Sequence, residues 1–211
     1  HSFLHGRHEP VRIAFQLDYR ADFRRSVELI ERMEEAGLDA VWVPEVWGHD
    51  APTLLGYLAA RTRTVTLGAG VLPVFSRTPA LIAQTAATLD ELTDGRAVVG
   101  LGTSGPQVIE GWHGVAFDRP LTRLREAVAI CRRVWSREPV TFAGDVYRLP
   151  FTGDLDSELG KALRLMAHPP RARIPIHLAV LGPAGVRLAA EIAEGWLPLF
   201  FFPERAEAVW G

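Results

Sequence analysis

Residues Ala97 to Gly114 carry the densest set of groups in this chain that could hold a ligand. A short apolar strand, Ala97-Val98-Val99-Gly100-Leu101, runs directly into Gly102-Thr103-Ser104-Gly105-Pro106. Backbone amides and two hydroxyls thus stand where a phosphate or a flat ring can approach without large side chains in the way. The stretch is not a P-loop, because no Gly-Lys-Ser or Gly-Lys-Thr follows. Gly100, Gly102 and Gly105 fit a dinucleotide fingerprint only up to the helix that must come next, and Pro106 with Gly111-Trp112-His113-Gly114 reads as loop. An ordinary tight turn explains the same glycines, so the rest of the chain has to decide between the two readings. Ser104 lacks a Gly-x-Ser-x-Gly setting, which argues against nucleophilic hydrolysis. His113, His168 and His177 stand too far apart in the chain to argue for a metal site.

The 211 residues, 48% apolar and 23% charged with a formal net charge of -2, describe a globular domain with chain enough for a sizeable core. With 23 Lys and Arg against 25 Asp and Glu, no broad basic field is available for nucleic acid or an anionic membrane. The single cysteine, Cys131, excludes a disulfide framework or a cysteine-built zinc site and points to a reducing cytoplasm. No apolar run reaches the roughly 18 residues that span a bilayer, and residues 1–10 lack the apolar core of a signal peptide. That stretch, with His1, His5 and His8, reads as a tail or an expression remnant.

Strands and helices must alternate to position the glycine loop. Arg12 to Leu17 reads as a strand, and Asp22 caps a helix with Phe23, Val27, Ile30 and Met33 at helical spacing and a stop at Gly37. A second strand follows at Ala40 to Val43, a helix at Thr53 to Arg61, a third strand at Val65 to Leu72, and a helix opened by Thr78-Pro79. Asp94-Gly95 then turns the chain into the strand described first. Pro120 to Trp135 is the next helix, with Leu124, Val128 and Cys131 on one side. Val140-Thr141-Phe142 and Val146-Tyr147-Arg148 form a hairpin around Ala143-Gly144-Asp145, followed by a polar excursion to about His168. Ile174 to Val180, a helix from Gly182-Pro183 to Ile192, and a sixth strand at Gly195 to Leu199 complete the pattern.

Apolar strands separated by amphipathic helices predict a parallel sheet with right-handed crossovers. A doubly wound sheet concentrates its phosphate loop after the first strand. Here unusual residues end several strands: Pro44-Glu45, Leu72-Pro73, Gly102-Thr103-Ser104 and Leu181-Gly182-Pro183. That distribution favours an α/β fold of the (β/α)8 TIM barrel type.

Five stretches in this order resemble the bacterial luciferase-like superfamily, and most of all its branch that uses the deazaflavin coenzyme F-420. They are Ala40-Val41-Trp42-Val43-Pro44-Glu45, Leu67 to Pro73 with Ser76-Arg77-Thr78-Pro79, Thr88 to Arg96, the run Gly102 to Gly114, and Leu188 to Trp196. The resemblance implies one barrel domain over residues 11–211, with an insertion near 138–170. A barrel of this type takes about 250 residues, so its last two strands would lie outside these. It also implies a cofactor lying across the carboxyl ends of the strands, supported by a bulge with a non-prolyl cis peptide around Gly70-Val71 and Leu72. The cofactor phosphate would sit between Gly102, Thr103 and Ser104 on one side and Leu181, Gly182 and Pro183 on the other, where a helix N-terminus offers amides and a favourable dipole.

Glu45 becomes the candidate proton donor or acceptor, with Asp18, Glu110 and His113 in reserve. Relatives that oxidise alcohols carry a histidine near this place, whereas this sequence has Glu45-Val46-Trp47, with His49 displaced. Trp47 and Trp112 are candidates for the walls of a substrate pocket, and buried packing explains them equally well. The function implied is hydride exchange between coenzyme F-420 and a small organic substrate, in a homodimer. An FMN-dependent monooxygenase of the same superfamily and a non-catalytic deazaflavin-binding relative are the alternatives.

Overall fold

The expected strands form one parallel sheet in the computed structural model of the chain, with helices packed on one face. It describes residues 11–207 other than 19, 21, 154, 156 and 200; the amino-terminal stretch read above as a tail lies outside the described residues. In chain order the elements are β1 (Ala14–Gln16), α1 (Phe23–Glu35), β2 (Ala40–Val43), α2 (Ala51–Arg61), β3 (Thr66–Ala69), β4 (Leu72–Pro73), α3 (Pro79–Leu92) and β5 (Ala97–Gly102). They continue with α4 (Pro106–Ile109), α5 (Pro120–Trp135), β6 (Phe142–Ala143), β7 (Arg148–Leu149), β8 (Ile176–Ala179), α6 (Pro183–Ile192) and β9 (Gly195–Trp196). The sheet runs β1-β2-β3-β5-β8-β9, with β4 also paired to β5, while β6 and β7 form a separate antiparallel hairpin. Among the described residues this is a half-barrel with six strand positions.

Most boundaries follow from local chemistry. The Asp22 carboxylate accepts from the amides of Arg24 and Arg25, and α1 ends before Gly37, whose φ of +94° suits glycine. The second helix begins at Ala51 rather than Thr53, because Asp50 is the cap and accepts from the Thr53 amide at 2.9 Å. After Pro106 the chain makes a single helical turn, α4, where loop was expected; proline at the first helical position permits it. The expected third strand is split into β3 and β4 at the Gly70–Val71 peptide, which is cis.

Alternation along the strands gives the sheet two different faces. Val41, Val43, Leu67, Val99, Leu101, Ile176 and Leu178 are buried against the helices and form the core. The opposite face, which is the inside of the half-barrel, carries Trp42, Gly68, Gly70, Gly100, Gly102 and His177. Trp42 fills the room that the glycines leave: a Cβ on Gly68 would stand 2.4 Å from its ring. Its ring also meets His177 with centroids 5.3 Å apart.

The amino-terminal ends of the strands are braced by ion pairs and carbonyl contacts. Asp90 is fully buried and paired with Arg171, which also donates to the Ala97 carbonyl at 2.5 Å. Arg96 donates to the carbonyls of Thr62, Val65 and Thr93 at 2.7 to 3.0 Å. The stretch Thr88 to Arg96 is therefore a structural device at the end of the sheet away from the glycine loop. The hairpin is docked by Glu126, whose carboxylate accepts from the amides of Asp145, Val146 and Tyr147 at 2.7 to 3.1 Å.

Cys131 is fully buried in α5, and burial pushes its thiol up to about 12. It packs; it does not react. An alkylating reagent at neutral pH is expected to leave the folded protein unmodified and to label it fully after denaturation, as read by intact mass. Rapid labelling of the folded protein would contradict this.

Candidate functional site

Every site residue expected from the sequence lies along the carboxyl edge of the sheet. Gly102 is the register partner of Pro73 on β4 and of Ala179 on β8, so three strand ends stand side by side. From them emerge the Thr103-Ser104 loop and the Leu181-Gly182-Pro183 turn. Glu45 follows β2 on the far side of the Gly70–Val71 bulge, where the Gly70 amide donates to the Val43 carbonyl at 2.8 Å.

The two strand glycines do not face an empty crevice. A Cβ on Gly100 would stand 1.9 Å from the Ala69 carbonyl oxygen, and one on Gly102 would stand 2.8 Å from Cγ2 of Val71. The bulge folds inward over β5, and these glycines are its seat. Val71 thereby becomes part of the floor beside the Thr103-Ser104 loop.

Ser104 has φ +55°, a left-handed conformation that is unusual for a residue with a side chain and recurs at ligand sites. The Thr103 hydroxyl donates to the Ser104 carbonyl at 3.2 Å. Across from this loop, Gly182 precedes α6 with no side chain capping it, and a Cβ there would meet nothing within 4 Å. Pro183 brings no amide, so those of Ala184 and Gly185 form the donor end of the helix. A cradle of small residues, hydroxyls and helix amides suits a phosphate with an extended polar chain.

The structure holds Glu45 in place. Both its oxygens accept from Arg77, Oε2 at 3.0 Å from Nη2, and Oε2 also accepts from the Ala51 amide at 2.8 Å. The side chains of Glu45 and Arg77 are only 8% and 13% exposed. Arg77 reaches Asp50 as well, at 2.5 Å. Burial works to raise the Asp50 pKa, but hydrogen bonds from Thr53 and the Arg77 charge outweigh it and hold the carboxyl below its usual range. In the sequence Arg77 stands out only within a stretch of resemblance and Asp50 not at all; one arginine gives no periodic signal, and its partner is 32 residues away.

The reserve candidates are less organised. Asp18 accepts from the Arg20 amide at 2.8 Å, and Glu110 from the Phe117 amide at 3.3 Å. His113 has its Nε2 buried with no hydrogen-bond partner among the described residues. Trp47 and Trp112 are 63% and 65% exposed, so neither is buried among the described residues. Both belong to loops at the carboxyl edge.

A parallel α/β half-barrel with its polar loops gathered at one edge is the fold of a TIM-barrel protein. The family model described as luciferase-like monooxygenase matches residues 5–211, and the chain belongs to this family. A Mycobacterium tuberculosis protein named as a coenzyme F-420-dependent oxidoreductase is 52% identical over 180 residues, covering 85% of this chain and 52% of that protein. An F-420-dependent glucose-6-phosphate dehydrogenase of Amycolatopsis mediterranei is 32% identical, covering 82% of this chain and 53% of the relative. The chain thus spans about half the length of the curated relatives it matches. Among solved structures, an F-420-dependent secondary alcohol dehydrogenase in complex with an F-420-acetone adduct superposes with a TM-score of 0.81 at 24% identity, over 94% of this chain and 61% of that one. That likeness concerns the fold. No helix among the described residues is long and apolar enough to cross a membrane.

Proposed function

We propose that the carboxyl edge of this half-barrel binds coenzyme F-420 and that the protein is an oxidoreductase exchanging a hydride between this cofactor and a small organic substrate. The observation that carries the reading is the pairing of Gly102 with Ala179, which sets the Thr103-Ser104 loop beside the uncapped start of α6. The names of the relatives at 52% and 32% identity support it. Bound coenzyme F-420 supplies the hydride chemistry of its deazaflavin ring. The chain's own groups bind and orient it. The Thr103 and Ser104 hydroxyls and the amides of Ala184 and Gly185 hold its phosphate, with Leu181, Gly182 and Pro183 bordering the approach and Gly102 seating Val71 beside it. Gly70, Val71 and Leu72 support the ring, and Trp47 and Trp112 border the substrate side. We read residues 11–211 as one domain, and expect a cytoplasmic homodimer, which size measurement in solution tests.

The family model's description, which names a monooxygenase, favours one second reading, and in this superfamily we take its cofactor to be FMN. Fluorescence titration with both cofactors separates them. Coenzyme F-420 is expected to bind more tightly, with no oxygen uptake from the reduced cofactor alone; tighter FMN binding would overturn the proposal. Ser104→Gly sharpens the test. Relief of the positive φ keeps stability within about 1 kcal/mol of the parent or raises it. Loss of a hydroxyl donor to a charged group is worth about 1.5–3 kcal/mol and should weaken F-420 binding about tenfold or more. Unchanged affinity would remove Ser104 from the site.

A further inference from the structure

We propose that Arg77 is a positioning residue that ties the Trp47 loop to the segment leaving the Gly70–Val71 bulge, and that Glu45 serves as its anchor and not as a proton carrier. The loop from Glu45 to Asp50 carries Trp47, and Arg77 grips its two ends, Glu45 through both guanidinium Nη atoms and Asp50 at 2.5 Å. The Ala51 amide closes the ring by donating to Glu45 at 2.8 Å, and Asp50 is fixed from the other side by the Thr53 hydroxyl at 2.6 Å. Arg77 itself lies between β4 and the Thr78 cap of α3, on the chain that has just passed over Gly100 and Gly102. One guanidinium therefore sets the spacing between the β2 loop and the floor made by Val71. A planar fork with fixed donors suits this task, which a single ammonium cannot perform equally.

The alternative role for Glu45 asks more of it than this geometry gives. A proton carrier must reach the reacting atom and exchange a proton. Here the carboxylate is turned onto Arg77 and the start of α2, and both its oxygens are taken up there.

The inference rests on the deazaflavin reading for one of its two readouts, cofactor affinity. The other, hydrogen exchange of the unliganded protein, is independent of it. Arg77→Met is expected to speed exchange at residues 46–51 by about tenfold or more, with β2 and β5 keeping their protection. Arg77→Lys, which keeps the charge, replaces it should Arg77→Met not fold, with the same direction expected. Glu45→Gln and Arg77→Met should each weaken F-420 binding about tenfold, and the double variant should be no weaker than the worse single one, because the two residues act as one device. Unchanged exchange at 46–51 overturns the clamp. Turnover lost in Glu45→Gln while cofactor affinity stays intact overturns its assignment as an anchor. Should the parent protein not bind coenzyme F-420, the proposed function falls, and hydrogen exchange still decides the clamp.

Discussion

Gly100→Ala is expected to destabilise the fold by about 3 kcal/mol or more, a large fraction of the roughly 5–15 kcal/mol that holds an ordinary domain together. The added methyl would stand 1.9 Å from the Ala69 carbonyl oxygen and 3.2 Å from Cδ1 of Leu197. A side chain can often turn away from such a clash. A backbone carbonyl cannot, because Ala69 is held by β3 pairing with Val43 of β2, and the Gly70 amide donates to the Val43 carbonyl at 2.8 Å. Relief would require β3 and β5 to part, and both lie at the centre of the sheet. Thermal or urea unfolding decides the matter. A transition within about 1 kcal/mol of the parent would mean that the inward bulge is not seated as described.

Gly100 and Gly102 also show how much of this protein was legible in its sequence. Caps and periodicity placed β2 and α5 to the residue, because Ala40 to Val43 is a clean apolar run and Pro120 opens an amphipathic helix with its buried side at Leu124, Val128 and Cys131. The short β9 and the single turn of α4 were less legible, since their lengths depend on neighbours contributed by distant segments. For the site, the loops at the strand ends could be named as chemistry, but not what lies over the glycines. The same residue type at both positions gives one signal for two neighbours, the Ala69 backbone at Gly100 and the Val71 side chain at Gly102. Likewise Glu45 reads as a titratable group at a strand end. Only the return of the chain through Arg77 turns its carboxylate into a strut.

Gly102→Val should separate the two glycines by readout. Its Cβ would meet Cγ2 of Val71 at 2.8 Å and lie 3.5 Å from the Ala179 carbonyl, so the closest atom in its way belongs to a side chain rather than the backbone. The fold can yield there at a cost of about 1–3 kcal/mol, the usual range for overpacking. What yields is Val71, the floor beside the Thr103-Ser104 loop, and the new methyl groups occupy the space where β4, β5 and β8 end together. Coenzyme F-420 affinity is therefore expected to fall by about a hundredfold, equivalent to about 2.7 kcal/mol, in a protein that still melts cooperatively. Fluorescence titration of the folded variant checks it against the parent. An affinity within about threefold of the parent, a difference under about 1 kcal/mol, would show that neither Gly102 nor the Val71 it supports touches the cofactor's binding surface. The strand glycines would then serve the sheet alone, and the cofactor would have to be held by the Thr103-Ser104 loop and the start of α6.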